Sequence, residues 1–163
     1  MMAERKSDAP SPWVRGNQAD PWGARMADRH YSRKTKGARL FVGPGRKLVL
    51  YIPGERWPFE CDALWVWYDG LRADAYTGWW NCSLFRNERP DLYVSSALIR
   101  AAVLIILEVW GAPRHGFDSY VWPDKLQSSN PGYCYQMAGW QRDGWSKDGK
   151  KRRLYLPVEA LDA

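Results

Sequence analysis

The sequence predicts a single α/β domain of the α+β kind, with a mostly antiparallel central sheet, a buried central helix and flanking helices. Three observations support this prediction. The chain has 163 residues, which is enough for one hydrophobic core. Hydrophobic residues make up 45% of it and include 11 Trp and 9 Tyr, a composition typical of folded domains. Three segments rich in β-branched and aromatic residues also precede one long apolar segment.

The first third of the chain is predicted to contain a leader and a helix. Residues 1–18 mix Pro, Ser, Gly and charged residues and are expected to form a flexible leader, so that the folded domain covers residues 19–163. Asp20 and Pro21 are typical of a helix start, and this helix is predicted to continue to Ser32. Three consecutive antiparallel strands are then expected at 47–53, 63–69 and 77–85.

The clearest helix signal lies at residues 95–110. Ser95 or Ser96 is expected to cap its N-terminus and Gly111 to end it. Apolar residues occur nearly all round this segment, so we expect the helix to be buried against the sheet. The remaining predictions are a strand at 116–122, a loop at 123–132, a short helix at 133–139 and terminal strands at 140–146 and 152–158.

The net charge of +6 is concentrated near the N-terminus. Residues 1–46 contain ten Lys or Arg and four Asp or Glu, whereas residues 47–163 contain fourteen of each. Such asymmetry is typical of proteins with a polyanionic partner, and nucleic acid is the first candidate.

Other compositional features exclude some classes of protein. No apolar stretch approaches the roughly 20 residues that span a bilayer, and the first 13 residues lack the apolar core of a signal peptide, so we expect a cytoplasmic protein. The three cysteines and two histidines match no zinc pattern, and no metal is expected. An iron site formed by His30, His115 and Asp124 stays open, although no spacing indicates it.

The order of these elements is similar to that of the GNAT fold of acetyl-CoA-dependent N-acyltransferases. In that fold, free N–H groups at the start of the central helix hold the cofactor pyrophosphate. The glycine-rich signature of the preceding loop is absent from "RNERPDLYVSS". This absence leaves open whether the cofactor binds differently or not at all.

Several stretches within residues 28–143 resemble a narrower family of phage and actinobacterial proteins, which is related to the Mom-type phage DNA modification proteins. They are "DRHYSR", "VGPGRKLVL", "ALWVW", "LFRNE", "SSALIRAA" and "SSNPGYCYQMAGW". The resemblance implies a GNAT-like enzyme that modifies DNA bases, most simply adenine at N6. It also implies acetyl-CoA or a related acyl-CoA as the donor.

The resemblance also implies which residues form the site. Asp124 or His30 would be the base, and Tyr135 or Tyr133 would donate the proton to the leaving thiolate. Arg86 and the helix start would bind the donor phosphates. The remaining candidates are Ser95 and Ser96 at the helix start, Tyr31 and Ser32 facing the pocket, and Arg33, Lys34 and Lys36 on the DNA backbone.

Each of these assignments has a simpler structural alternative. Arg86 could form a surface ion pair with Glu88 or Asp91, and His30 could be a partly buried histidine that caps its helix. Two other functions also stay open. The first is an N-acetyltransferase for a small amine or a protein, and the second is a non-catalytic, GNAT-like module that binds nucleic acid.

Overall fold

A seven-stranded sheet with the order β1-β2-β3-β4-β5-β7-β6 forms the centre of the molecule. The computed structural model describes residues 11–70, 76–125 and 130–162. The strands are β1 (Val14–Gly16), β2 (Arg46–Pro53), β3 (Cys61–Asp69), β4 (Trp79–Asn87), β5 (Gly116–Val121), β6 (Gln141–Trp145) and β7 (Arg152–Pro157). The helices are α1 (Pro21–Asp28), α2 (Ser95–Trp110) and α3 (Tyr133–Met137), with 3₁₀ turns at Pro123–Lys125 and Val158–Asp162.

One pair of neighbouring strands is parallel and all the others are antiparallel. The predicted meander is confirmed as β2, β3 and β4, and the terminal strands pair as predicted. β4 and β5 are parallel because the chain returns through α2 before it enters β5. The mixed sheet with its central helix confirms the fold class that the sequence predicts.

Both faces of the sheet carry hydrophobic core. On one face, α2 and α3 pack over Trp65, Trp67 and Phe117, all of which are fully buried. On the other face, α1 packs over Leu64 and Val66. β3 is therefore buried on both sides, and its alternating residues belong to two different cores.

Two predictions about α2 are wrong. Its N-cap residue is Val94 rather than a serine, and no side chain caps the helix. The helix is also buried on one side only, because Leu98 and Ile106 face the core whereas Leu104 is 61% exposed. The apolar sequence alone did not reveal the outward face. The end at Gly111 is confirmed.

The first helix begins as predicted but ends earlier. Pro21 is its first residue, after Asp20 at the N-cap, whereas its last residue is Asp28 rather than Ser32. The Ser32 N–H donates to Nδ1 of His30 at 3.1 Å, in place of a carbonyl one helical turn back. This side-chain hydrogen bond stabilises a turn instead of a further helical residue.

Part of the predicted leader belongs to the fold. β1 pairs with β2, and Trp13 immediately before it is only 7% exposed. The indole N–H of Trp13 donates to the carbonyl oxygen of Leu98 in α2 at 2.9 Å. Residues 1–10 of the leader lie outside the described residues, as do residues 126–129 of the predicted loop. No helix in the described part of the chain is long and apolar enough to cross a bilayer.

Candidate active site

A cavity opens where β4 and β5 separate. The two strands pair from Trp79 and Gly116 as far as Cys82 and Ser119. Beyond this point β4 continues beside β3, and β5 continues beside β7. Beyond Cys82 and Ser119 the facing edges of β4 and β5 therefore do not pair with each other. A cavity of about 750 Å³ lies between them. Ligands of open α/β sheets commonly bind at such carboxyl ends of parallel strands.

Tyr135 reaches from α3 to the point where the strands separate. It is 5% exposed, and its hydroxyl lies 3.2 Å from Ser119 Oγ and 3.8 Å from Cys82 Sγ. Ser119 Oγ donates to the Cys82 carbonyl oxygen at 2.9 Å, so the Tyr135 hydroxyl is the donor to Ser119. Burial raises the pKa of Tyr135 well above its ordinary value, which keeps the hydroxyl protonated at neutral pH.

The turn before α3 determines where Tyr135 enters the cavity. Gly132 has a φ of 85°, a conformation that glycine adopts far more readily than other residues. A Cβ atom at this position would lie 3.1 Å from the Leu154 side chain. The end of the loop predicted at 123–132 thus determines where Tyr135, a catalytic candidate, is placed.

An irregularity in β4 lies next to Tyr135. The register between β3 and β4 shifts so that Val66 pairs with Leu84 and Trp67 pairs with Cys82. Ser83 is therefore an extra residue without a partner in β3, and it lines the cavity. Bulges of this kind commonly redirect backbone and side-chain groups toward a site.

The start of α2 forms another part of the cavity wall. Ser95 lines the cavity, and its hydroxyl accepts a hydrogen bond from the Asn87 amide at 3.1 Å. No side chain caps the helix, so the first backbone N–H groups of α2 are available to an anion. Ser96 is the next residue of the helix but does not line the cavity.

Comparison with solved structures identifies the fold that holds this cavity. A mutant of the spermidine N-acetyltransferase from Vibrio cholerae superposes with a TM-score of 0.60 at 9% identity, covering 94% of this chain and 98% of that one. The GNAT-family acetyltransferase from Bacillus anthracis gives a TM-score of 0.52 at 8% identity, covering 93% and 98%. The fold is that of the GNAT acetyltransferases. No protein-family model matches the chain, and no curated protein matches it in sequence.

Arg86 lines the cavity but is held by an ion pair. Its Nε donates to Glu88 at 2.6 Å, and its Nη1 donates to the Arg29 carbonyl oxygen at 3.1 Å. Arg29 also donates to both Glu88 oxygens, at 2.8 and 2.9 Å. Partial burial would raise the pKa of Glu88, but the hydrogen bonds from Arg29 and Arg86 lower it. The sequence left open an ion pair of Arg86 with either Glu88 or Asp91. The structure shows the pair with Glu88, and Asp91 pairs with Arg89 instead.

His30 lies in the cavity wall as a neutral side chain. Its Nδ1 accepts the Ser32 N–H and lies 2.8 Å from Ser32 Oγ, and the ring also hydrogen-bonds the backbone of Phe85. Burial lowers the pKa of His30 to about 4, and the positive charges of Arg86 and Lys151 add to this effect. A histidine with such a pKa is a weak base, and its ring nitrogens already have partners.

Tyr31 connects the same segment to β5. Its hydroxyl donates to the Tyr120 carbonyl oxygen at 3.2 Å, and its ring lies 4.1 Å from the ring of His30. Burial raises the pKa of Tyr31 well above its ordinary value. Since His30 contacts Phe85 in β4, the His30–Tyr31 pair bridges the two separating strands. Ser32 positions the His30 ring and does not itself line the cavity.

The three basic candidates of the following loop have different environments. The Arg33 side chain is only 6% exposed, donates to Asp28 at 2.9 Å and to the Leu40 carbonyl oxygen at 3.0 Å, and lines the cavity. Lys36 is exposed and lines the cavity, whereas Lys34 is exposed and borders a smaller neighbouring cavity. Arg33 therefore organises the loop, and the two lysines are accessible to a ligand.

Two catalytic candidates lie away from the cavity. Asp124 is exposed in a 3₁₀ turn, and Tyr133 is 55% exposed on the other side of α3 from Tyr135. Neither lines the cavity, so the geometry supports no catalytic contact for them. Among the described residues, no three His, Cys, Asp or Glu side chains are placed to hold a metal ion, so His30, His115 and Asp124 do not form an iron site.

Sequence reasoning missed Ser119 and Cys82, which contact the Tyr135 hydroxyl. Ser119 lies inside the apolar segment "GFDSYVW", and a buried polar residue within such a strand is the signal that could have indicated a site. Burial raises the pKa of Cys82 to about 12, so its thiol is not a nucleophile at neutral pH. Cys82 contributes its backbone carbonyl oxygen, which accepts the hydrogen bond from Ser119 Oγ.

Proposed function

We propose that this protein transfers an acyl group from an acyl-CoA-type donor to an exocyclic amine of a DNA base, most simply N6 of adenine. One observation carries the acyl-transfer part of the proposal. A protonated, buried tyrosine hydroxyl lies at the point where two parallel strands separate, in a cavity that also contains the uncapped start of α2. This combination provides a proton donor and an anion site within one pocket.

The residues of the cavity fit a donor of this kind. The free N–H groups at the start of α2, where Ser95 lines the cavity, can hold phosphate oxygens, and Arg86 adds positive charge to the same cavity. Beyond Cys82 and Ser119, β4 and β5 no longer pair with each other, so an extended ligand can lie between the two strands. The Asn87 amide, which donates to the Tyr93 carbonyl oxygen at 2.8 Å, fastens the loop that lacks the usual glycines.

The proposed reaction is the transfer of an acyl group from a thioester to an amine. The donor supplies an acyl thioester, whose carbonyl carbon is open to attack by the amine. Tyr135 donates a hydrogen bond and then its proton to the sulfur as the C–S bond breaks and the new C–N bond forms. The surplus proton of the amine leaves to water, and Tyr135 regains its proton from water before the next turnover. Ser83, the extra residue of the bulge, lines the cavity, and its backbone is our candidate for stabilising the carbonyl oxygen.

The charge of the cavity favours DNA as the acceptor. Its charged lining residues comprise one acidic side chain, Asp28, and five basic ones, which are Arg29, Arg33, Lys36, Arg86 and Lys125. Positive charge attracts a nucleic acid, whereas it would repel a polyamine such as spermidine. The cavity volume of about 750 Å³ is large enough for a base that has left the duplex.

The decisive experiment is mass spectrometry of nucleosides from the DNA of cells that express the protein. We expect a new adenine nucleoside with the wild-type protein and its loss with Tyr135→Phe. Tyr133→Phe is the matched control, because it removes an exposed hydroxyl from the same helix. Absence of a new nucleoside with every acyl-CoA supplied would contradict the proposal.

A non-catalytic nucleic-acid-binding module is the alternative that one observation favours. Hydrogen bonds from His30 and Tyr31 already occupy backbone groups of Phe85 and Tyr120, on the two edges that a donor would contact. Titration with acetyl-CoA by calorimetry separates the two functions. Heat of binding together with a rise in melting temperature supports the enzyme, whereas neither signal supports the module.

The salt dependence of DNA binding distinguishes the proposed function from that of an N-acetyltransferase for a small amine or a protein. Affinity for duplex DNA should fall steeply as salt increases, because phosphate contacts release counterions. Undetectable or salt-insensitive binding of DNA would favour this second alternative.

A further inference from the structure

The turn between β6 and β7 carries a second group of basic residues, apart from those of the N-terminal third. Residues 147–153 read "KDGKKRR", which is five Lys or Arg and one Asp. Arg152, the first residue of β7, pairs with Val121, the last residue of β5. The turn therefore lies at the carboxyl end of β5, which is the end of the sheet that holds the cavity.

Three lysine side chains lie near the indole ring of Trp122, at the rim of this cavity. The ammonium groups of Lys125, Lys151 and Lys150 lie 5.2, 5.4 and 6.0 Å from the centre of its rings. Trp122 itself lines the cavity, and the charge of Lys151 contributes to the low pKa of His30, which also lines the cavity. The positive field of the turn thus extends into the cavity.

The turn is held in one conformation by its own hydrogen bonds. Asp148 accepts the Ser146 hydroxyl at 2.6 Å and the Lys150 N–H at 3.0 Å. The Ser146 N–H donates to the Lys151 carbonyl oxygen at 2.8 Å. The hydrogen bond with Ser146 lowers the pKa of Asp148, and the neighbouring lysine charges lower it further. Asp148 is therefore an ionised carboxylate that stabilises the turn by accepting hydrogen bonds from within it.

Among the described residues, no carboxylate forms a salt bridge with the three lysines around Trp122, and Asp148 is an acidic group whose charge acts on Lys150 and Lys151. Three ammonium groups beside one indole repel each other, and cation–π attraction offsets only part of this repulsion. An external anion would stabilise the arrangement. The loop of Lys34 and Lys36 lies on the other side, over β3 and β4, where it borders Tyr68 and Leu84.

We propose that the β6–β7 turn, with Lys125, forms a second contact surface for the phosphates of DNA. This inference rests on the proposed function and identifies how the acceptor is held. In the sheet order, β7 lies beyond β5 from β4, so the turn lies on the β5 side of the cavity, whereas the loop of Lys34 borders residues of β3 and β4. Phosphate contacts on both sides hold the duplex across the opening and align one base with the site.

The test is fluorescence anisotropy of a labelled duplex with the full-length protein at several salt concentrations. Lys150→Ala/Lys151→Ala should weaken binding about tenfold at low salt and reduce the slope of log affinity against log salt by about 1 to 2, since each phosphate contact contributes about 0.9. Arg15→Ala/Arg114→Ala is the matched control. It removes the same charge from exposed residues that do not line the cavity.

One further variant and one ligand identify the contact. Lys150→Arg/Lys151→Arg keeps the charge and should keep the affinity and the slope. Affinity for acetyl-CoA should be the same in wild type and in Lys150→Ala/Lys151→Ala. A fall in acetyl-CoA affinity would assign the lysines to the donor phosphates and overturn the inference.

The results also distinguish this inference from the proposed function. If wild type binds DNA and the alanine variant binds it with the same affinity and slope, the second surface is refuted and DNA stays the acceptor. If wild type binds no duplex even at low salt, DNA as the acceptor and the second surface are both refuted.

Discussion

The Tyr135 hydroxyl lies 3.2 Å from Ser119 Oγ, which itself donates to the Cys82 carbonyl oxygen at 2.9 Å. Through these two hydrogen bonds α3, β5 and β4 meet at the last pair of parallel residues. The hydroxyl is therefore fixed at the point where the cavity begins. This relationship underlies the proposed role of Tyr135.

Replacing Tyr135 by Phe should reduce the rate of acyl transfer while the protein stays folded. The ring keeps its packing against Trp65 and Trp140, whose ring centres lie 6.2 and 5.0 Å away, and only the proton donor is lost. Loss of a general acid typically lowers kcat by about 10²- to 10⁴-fold. Single-turnover and steady-state kinetics would measure the effect, with KM expected to change little.

The neighbouring substitutions give the comparison for Tyr135. Ser119→Ala removes the hydrogen-bond partner but leaves the phenol, so we expect a smaller loss of kcat. Tyr133→Phe should leave the rate unchanged, because that side chain is 55% exposed and outside the cavity. Equal rates for wild type and Tyr135→Phe would show that Tyr135 is a packing residue.

Replacing Arg33 by Ala should destabilise the protein, whereas Lys34→Ala should not. The guanidinium of Arg33 is nearly buried and binds the carbonyl oxygens of Ala38 and Leu40 together with the Asp28 carboxylate. Its loss leaves acceptors without donors and should lower the free energy of unfolding by about 1–3 kcal/mol. Lys34 is exposed, so its removal should change stability by less than about 0.5 kcal/mol. Urea unfolding measures both, and equal effects would argue against the structural role of Arg33.

His30 should make the stability depend on pH. Burial lowers its pKa to about 4, whereas the unfolded chain has a pKa of about 6.5 and binds a proton more readily. The free energy of unfolding is therefore highest above about pH 6.5 and falls as the pH drops toward 4. Between about pH 7.5 and pH 5 the loss from this residue is about 2 kcal/mol.

Urea unfolding at about pH 7.5 and pH 5 tests this expectation, because most carboxylates stay ionised in that range. His30→Gln should flatten the pH dependence. His115→Gln is the control, since His115 is the other histidine and is exposed. A pH dependence that His30→Gln leaves intact would contradict the assignment.

Removing the Trp13 side chain should destabilise the whole domain. Trp13 is 7% exposed, packs in the core with α2 and donates its indole N–H to Leu98. Trp13→Ala should lower the free energy of unfolding by about 3–5 kcal/mol, as is usual for buried aromatic residues. Val14→Ala is the comparison, because Val14 is 43% exposed and its replacement should cost much less. A cost for Trp13→Ala no larger than that for Val14→Ala would show that the leader contributes no core.

Local patterns in the sequence are sufficient for most elements of this fold. Pro21 and Gly111 mark a helix start and a helix end because their backbone preferences act within a few residues. The aromatic and β-branched segments predict β2 to β4 for the same reason. The end of α1 was predicted too late, because the hydrogen bond between His30 and Ser32 competes with the helix and has no periodic signal.

By itself the sequence determined the order of strands and helices from α1 onward, the aromatic core and the excess of positive charge. Only the tertiary structure decided which polar groups meet. Tyr135, Ser119 and Cys82 are far apart along the chain and come together because β4 and β5 pair in one register and then separate. The same packing left Asp124 exposed and brought the lysines of the β6–β7 turn to the cavity. Contacts of this kind depend on how distant elements pack, and no local spacing encodes them.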